Sequence, residues 1–176
     1  MQKKMRIIVS DSFCLIDLKK GGLLRAIFEL PFSFVMPQPL FDDELVSFTD
    51  REKRMMIDAG MEIVTLPGEQ VLRAAAHFNQ VRRLKMNDCF ALVLAGNISA
   101  SILFTGDAPM KVRAESLGIE THGILWAIDQ LEALTGTPHW LLRDALMKFQ
   151  DDPLVRLPED EIRKRILRLS RRSRED

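Results

Sequence analysis

The chain has 176 residues, of which 47% are hydrophobic and 28% charged, a balance typical of one globular domain. Lys plus Arg and Asp plus Glu number 25 each, and this zero net charge excludes the basic coat of a histone-like protein. No apolar run approaches the length of a membrane span, and the amino-terminal segment lacks the pattern of a signal peptide. We therefore expect a soluble, cytoplasmic protein with no membrane partner.

Strand patterns alternate with helical patterns along most of the chain. The strand patterns are short apolar or β-branched runs at 6–10, 34–36, 62–66, 101–105 and 119–122. The helical patterns cover 15–28 with a break at Gly21-Gly22, then 41–60 with a mid-course cap offered by Thr49 or Asp50, and then 69–83, 86–95, 108–117 and 124–134. Because strands joined through helices pair in parallel, this order predicts an α/β, three-layer domain.

The pattern changes after residue 135. Two further helices are predicted, over 140–149 and from 158 onward. We therefore assign residues 1–135 to the domain that carries the sheet and residues 136–176 to a C-terminal helical extension.

The last predicted helix begins with three acids and continues with seven bases, an order that suits the helix dipole. The bases are Arg163, Lys164, Arg165, Arg168, Arg171, Arg172 and Arg174. They could contact phosphates, and a protein contact is another interpretation. An exposed charged helix is the favoured explanation, because apolar side chains can pack one of its faces. These are Ile162, Ile166, Leu167 and Leu169.

Two acids directly follow predicted strands. Asp11 comes after the first strand and Asp107 after the fourth. Because the carboxyl ends of parallel strands meet at one edge of a sheet, both residues are predicted to lie at the edge where ligands bind. Each could instead cap the helix that follows it, and for either residue alone we favour this alternative.

Two further acids lie in predicted helices. Asp88 shares a helix face with the core residues Leu84, Ala91, Leu92 and Ala95. A bare buried carboxylate costs several kcal/mol, so Asp88 must be paired, protonated, capping or metal-bound, and an N-cap for a helix starting at Cys89 is the alternative. Glu44 lies in the first turns of the helix predicted over 41–60, where it could simply favour the dipole.

Together the four acids predict a metal site. Three or four carboxylates that converge at one edge of a sheet provide the hard oxygen ligands that suit Mg²⁺ or Mn²⁺. Without a cation, their mutual repulsion would raise their pKa values and destabilise the fold.

The order of these motifs resembles that of PIN-domain nucleases. The segments are Ile-Val-Ser-Asp11, Glu44-Leu45, Asn-Asp88-Cys-Phe-Ala-Leu and Leu-Phe-Thr-Gly-Asp107. The segment 110–126, with Lys111 and Gly123-Ile-Leu-Trp126, resembles the end of the domain in the prokaryotic VapC-type toxin group.

The resemblance implies a PIN-like domain with a five-stranded parallel sheet and a Mg²⁺-dependent (or Mn²⁺-dependent) endoribonuclease that acts on single-stranded RNA. It also implies a homodimer and an antitoxin partner of a type II toxin–antitoxin pair. Carried over by position, Asp11, Glu44, Asp88 and Asp107 are the metal-binding and catalytic residues. Thr105 would lie near the Asp107 carboxylate, and Lys111 would contact phosphate. The alternative is a PIN-like module that binds RNA or protein without cleaving.

The chain departs from the family pattern two residues after Asp11. Phe13 occupies a position where many relatives carry a hydroxyl side chain. This change would remove one polar group from the site.

Overall fold

Five strands and nine α-helices form residues 6–172, the part of the chain that the computed structural model describes. The strands are β1 (Ile7–Ser10), β2 (Ser33–Pro37), β3 (Glu62–Val64), β4 (Ile102–Phe104) and β5 (Glu120–His122). The helices are α1 (Ser12–Gly21), α2 (Gln38–Asp43), α3 (Asp50–Asp58), α4 (Gly68–Gln80), α5 (Met86–Asn97), α6 (Ala108–Ser116), α7 (Ile124–Leu134), α8 (His139–Asp151) and α9 (Glu159–Arg172). A 3-10 helix (Ala26–Glu29) follows α1. No helix of this part is both long and apolar enough to cross a bilayer.

The strands form one parallel sheet in the order β3-β2-β1-β4-β5. The central strand, β1, pairs with β2 at Ile8 and Phe34 and with β4 at Ile8 and Ile102. Ile8 and Val9 are fully buried, as expected of a strand with neighbours on both sides and helices above and below. The prediction of an α/β domain with a five-stranded parallel sheet is therefore confirmed.

The helix predicted over 41–60 is wrong, because two helices occupy this region. Pro39 lies in the first turn of α2, a position that suits proline, and α2 ends at Asp43. Thr49 then starts α3 with a capping box, in which the Glu52 amide donates to Thr49 Oγ1 at 3.2 Å and the Thr49 amide donates to Glu52 Oε2 at 2.8 Å. Glu44 is consequently the C-cap of α2 and does not lie in the first turn of a helix.

The last helix is held to α7 by ion pairs as well as by its apolar face. Arg165 Nη2 lies 2.6 Å from Asp129 Oδ2, and Arg168 Nη2 lies 2.6 Å from Glu132 Oε2. Arg172 also binds Glu132, with Nη1 2.9 Å from Oε1. Three of the seven bases are therefore neutralised by α7, and a fourth, Lys164, pairs with Glu161 within α9 at 2.8 Å. These four bases offer little charge to a phosphate.

The apolar face of α9 is narrower than predicted. Ile162 and Leu169 are buried and Ile166 is half-buried, whereas Leu167 is exposed. The basic residue Arg174 lies outside the described residues. The boundary that we place at residue 135 stays a prediction.

The packing of α8 on α1 is tightest at Gly21. A Cβ atom at this position would lie 2.8 Å from Phe149 Cζ and 3.1 Å from Ala145 Cβ. Both neighbours are buried, so they have little room to yield. Glycine at the end of α1 therefore allows the closest approach of α8.

We predict that Gly21→Ala lowers the free energy of unfolding by about 1–3 kcal/mol, because the added methyl overpacks this contact. The matched control is Gly96→Ala in α5, where the nearest atom, in Ile119, would be 3.6 Å away and alanine should stabilise the helix by about 0.5–1 kcal/mol. Urea denaturation of both variants measures the difference. Equal effects of the two substitutions would contradict the packing argument.

Candidate metal centre

Asp11 is the most deeply buried acid at the carboxyl edge of the sheet. Its backbone amide donates to the Phe104 carbonyl at 3.0 Å, which fixes the end of β1 against β4. Its side chain has no exposed surface. Asp11 occupies the N-cap position of α1, yet its carboxylate accepts no capping hydrogen bond from the helix. The capping alternative is therefore right about the position of Asp11, but it does not account for the carboxylate.

Two hydroxyl groups bind the Asp11 carboxylate. Thr105 Oγ1 donates to Oδ2 at 2.9 Å, and Ser12 Oγ lies 3.3 Å from Oδ1. The resemblance places the Thr105 hydroxyl near the Asp107 carboxylate, but the hydroxyl donates to Asp11 and accepts from the backbone amide of Asp107 at 3.1 Å. Thr105 thus orients Asp11 and fixes the backbone that leads into Asp107.

Asp107 caps α6. Its Oδ2 accepts from the Met110 amide at 2.9 Å, as the capping alternative predicts. One carboxylate oxygen is therefore engaged at the start of the helix.

Asp88 lies in the first turn of α5, which begins at Met86 and not at Cys89. Its Oδ2 accepts from the Lys85 amide at 2.7 Å, so the carboxylate binds the start of the helix from the third helical position. Only 7% of the residue is exposed. The N-cap alternative is wrong in position, although the carboxylate does satisfy a backbone amide.

Glu44 is held by two side chains that the sequence analysis did not single out. Asn87 Nδ2 donates to Oε1 at 2.9 Å, and the Ser12 hydroxyl contacts Oε2. Ser12 directly follows Asp11 and Asn87 directly precedes Asp88, and this adjacency is the signal that could have identified them.

Ser12 stands between two carboxylates, those of Asp11 and Glu44. A hydroxyl carries one proton, so it can donate to only one of them at a time. The other carboxylate then keeps one neutral donor, Thr105 for Asp11 or Asn87 for Glu44, and a proton or a cation between the two carboxylates would relieve their repulsion.

Two of the four acids, Asp11 and Asp88, have a raised pKa, and the charges of neighbouring acids contribute to both shifts. Burial is the main cause that raises the pKa of Asp11 to about 7, the charges of Asp88 and Glu44 raise it further, and the Thr105 hydrogen bond opposes the shift. Burial also raises the pKa of Asp88, with contributions from Asp107 and Glu44, against the opposing bond from the Lys85 amide. The acids therefore form one electrostatic cluster, which we call the acidic cluster: Asp11, Glu44, Asp88 and Asp107.

Lys111 supplies a positive charge beside this cluster. Its Nζ would lie 3.4 Å from a Cβ at Gly123, and its charge opposes the rise that burial causes in the pKa of the Cys14 thiol. No hydrogen bond or ion pair joins Lys111 to the acidic cluster.

The donor chemistry of the acidic cluster fits a hard divalent cation, since all the candidate ligands are carboxylate oxygens. As the side chains stand, however, no group of three or more His, Cys, Asp or Glu side chains within residues 6–172 lies close enough together to hold a metal ion. Hydrogen bonds to Ser12, Asn87 and two backbone amides account for their present orientations. The assignment of four metal ligands stays a prediction.

The raised pKa of Asp11 predicts the pH dependence of stability in the metal-free protein. Because the folded state binds a proton between the unfolded pKa of 3.8 and about 7, the free energy of unfolding should fall as pH rises through this window, by roughly 4 kcal/mol from this group. Asp11→Asn should therefore be more stable than the unaltered chain at pH 8 in EDTA.

Thermal or urea unfolding at pH 6, 7 and 8 measures this effect. The pKa of Asp17 is raised to about 6, chiefly by burial, so this group lowers the free energy of unfolding mainly below pH 6. The change between pH 6 and 8 is therefore assigned to Asp11. A stability that is constant between pH 6 and 8, or an Asp11→Asn variant that is less stable at pH 8, would contradict the prediction.

Comparison with known proteins identifies the family. No curated protein sequence matches the chain. Among solved structures, a PilT N-terminus domain protein from the hyperthermophilic archaeon Sulfolobus solfataricus P2 is 14% identical, with a TM-score of 0.48, over 71% of this chain and 92% of that one. A family model described as a PIN domain, DUF3368, matches residues 7–171, which is nearly the whole chain. The chain therefore belongs to the PIN domain family.

Proposed function

We propose that the chain is a Mg²⁺-dependent or Mn²⁺-dependent endoribonuclease that hydrolyses phosphodiester bonds of single-stranded RNA. The PIN domain is typically a nuclease fold. The observation that carries the proposal is the buried carboxylate of Asp11, which two hydroxyls and no cationic side chain contact directly. A carboxylate in such a place needs a proton or a cation, and a divalent cation would compensate the whole acidic cluster.

In this proposal the acidic cluster binds the cation, and the neighbouring polar side chains fix the positions of its carboxylates. Asp11, Glu44, Asp88 and Asp107 would hold the cation, which would supply Lewis-acid chemistry for the scissile phosphate and for a water molecule. Thr105 orients Asp11, and Asn87 orients Glu44, so that each carboxylate keeps its direction. Lys111 adds a positive charge for the substrate phosphate.

One observation favours the alternative, a module that binds RNA or protein without cleaving it. Asp88 and Asp107 each accept a backbone amide at the start of a helix, which gives both acids a structural role without any metal. These bonds use one oxygen of each carboxylate, and the second oxygen has no hydrogen bond within the described residues. The second oxygen of each carboxylate is therefore available to a cation, and for this reason we favour the nuclease function over the binding module.

We extend the proposal to a homodimeric toxin that an antitoxin protein inhibits. This part rests on the resemblance of segment 110–126 to the VapC-type toxin group. Induced expression in a bacterial host tests it: the unaltered chain should arrest growth, and Asp88→Asn should not. Cleavage of RNA in vitro without any effect on growth would remove the toxin role and leave the nuclease.

We predict that Mg²⁺ supports cleavage of a labelled single-stranded RNA and that EDTA abolishes it. Asp88→Asn should reduce the cleavage rate by more than the roughly 10- to 100-fold that the loss of an outer partner of a metal site typically costs. Thr105→Val should cost about 10- to 100-fold, because Asp11 loses its hydroxyl donor, and Thr105→Ser should restore most of the rate.

Unfolding curves of each variant provide the control for folding. Equal cleavage by the unaltered chain in Mg²⁺, in EDTA and with Asp88→Asn would overturn the metal-dependent mechanism. Cleavage that is lost in Thr105→Ser as fully as in Thr105→Val would remove the role of the hydroxyl.

A further inference from the structure

A cavity of about 320 Å³ opens beside the acidic cluster. Asp107 forms part of its wall, so the cavity and the acidic cluster are continuous. The opposite parts of the wall come from the first turns of α1 and from the segment between α8 and α9. The volume lies in the range of sites for small molecules or single groups of a larger ligand.

The cavity exposes apolar surface that the fold does not use. Phe13 is 49% exposed, and Leu154 is 80% exposed. The Phe13 ring has one cation near it, Lys85, whose Nζ lies 6.0 Å from the ring centroid. A flat apolar ligand could therefore lie on the Phe13 ring and exclude water from it.

The cavity also contains a carboxylate without a hydrogen-bond partner. Asp17 is half-buried, and it makes no hydrogen bond or ion pair within residues 6–172. Lys20, whose charge opposes the rise in the pKa of Asp17, is instead paired with Asp152, with Nζ 2.8 Å from Oδ2. Burial raises the pKa of Asp17 to about 6, so the group is ionised at pH 8 and presents two acceptor oxygens.

Arg156 is the matching cationic group. It is exposed, lines the same cavity and makes no ion pair in the described part of the chain. Arg165, Arg168 and Arg172 of α9 are neutralised by α7, whereas Arg156 keeps its charge for a ligand.

We propose that this cavity binds a guanine base of the RNA strand, with the base stacked on Phe13, its Watson–Crick edge on Asp17 and a phosphate on Arg156. The inference rests on the proposed nuclease function. Guanine is the base that presents two adjacent N–H donors on this edge, and they match the two oxygens of a carboxylate. Adenine, cytosine and uracil place an acceptor next to a donor there, which would oppose one carboxylate oxygen.

The test measures binding separately from cleavage. All proteins carry Asp88→Asn and are kept in Mg²⁺ at pH 8, and fluorescence anisotropy reports the binding of labelled six-nucleotide RNAs. Three RNAs are compared: uridine with a single guanosine, uridine with a single inosine, and uridine alone. Inosine differs from guanosine by the absence of the 2-amino group. The strand with guanosine should bind about 10-fold tighter than the strand with inosine, because a hydrogen bond to a charged group is lost with inosine.

Variants assign the preference to named side chains. Asp17→Ala should bind guanosine and inosine strands equally, because no acceptor for the 2-amino group remains at this position. Phe13→Ala should weaken binding of the guanosine strand by about 10-fold through lost stacking. Phe78→Ala is the matched control, since Phe78 is 45% exposed on α4 and does not line the cavity, and it should leave binding unchanged.

Arg156→Gln should weaken binding of all three RNAs alike and reduce the dependence of affinity on salt by about one phosphate contact. Competition with guanosine monophosphate tests whether the cavity prefers a guanine base in an RNA strand or one in a free nucleotide. Weaker binding of the nucleotide than of the guanosine strand supports the proposal, and equal binding overturns the assignment to RNA.

Equal binding of guanosine and inosine strands before any change at Asp17 would overturn the base assignment, and equal effects of Phe13→Ala and Phe78→Ala would overturn the stacking. The two proposals can fail separately. Mg²⁺-dependent cleavage without a guanine preference removes the subsite alone, whereas a guanine preference in a chain that does not cleave RNA removes the nuclease alone.

Discussion

The burial of one carboxylate at the end of the central strand is the constraint on which the site depends. Asp11 has no exposed surface, and its immediate partners are the hydroxyls of Thr105 and Ser12 rather than a lysine or an arginine. Like charges on Glu44 and Asp88 add to the cost of its ionisation. The fold therefore maintains, at the carboxyl edge of a parallel sheet, a group that is stable only with a proton or with a bound cation.

The rest of the charge is arranged so that this need is not met from within the chain. The sequence of the last helix suggests that its bases could balance the acidic edge. In the structure, however, Arg165, Arg168 and Arg172 are bound to Asp129 and Glu132 on α7. A chain with zero net charge thus has an acidic edge at which no lysine or arginine side chain of the described residues binds the Asp11 carboxylate directly. A cation bound there would turn an edge that repels phosphate into one that attracts it.

The sequence predicts the topology well because each strand is short, apolar and followed by a helix, and parallel pairing then brings Asp11 and Asp107 to one edge. It predicts hydrogen-bond partners poorly. The bond from Thr105 to Asp11 joins residues 94 positions apart that directly follow neighbouring strands, so it depends on the strand order and not on local spacing. The apolar pattern over 41–60 predicts that Glu44 lies in the first turns of one helix. This is wrong, because the capping box at Thr49 starts a second helix and leaves Glu44 at the end of the first.

Direct measurement of divalent-cation binding is the sharpest test of this account. Titration of the metal-free protein with Mn²⁺ at pH 8 should show saturable binding that Asp11→Asn weakens. Repeated near pH 7 in buffers of different ionisation enthalpy, the titration should reveal release of a proton, because the pKa of Asp11 is about 7. The absence of saturable binding at millimolar Mn²⁺, or binding that is unchanged in Asp11→Asn, would contradict the account.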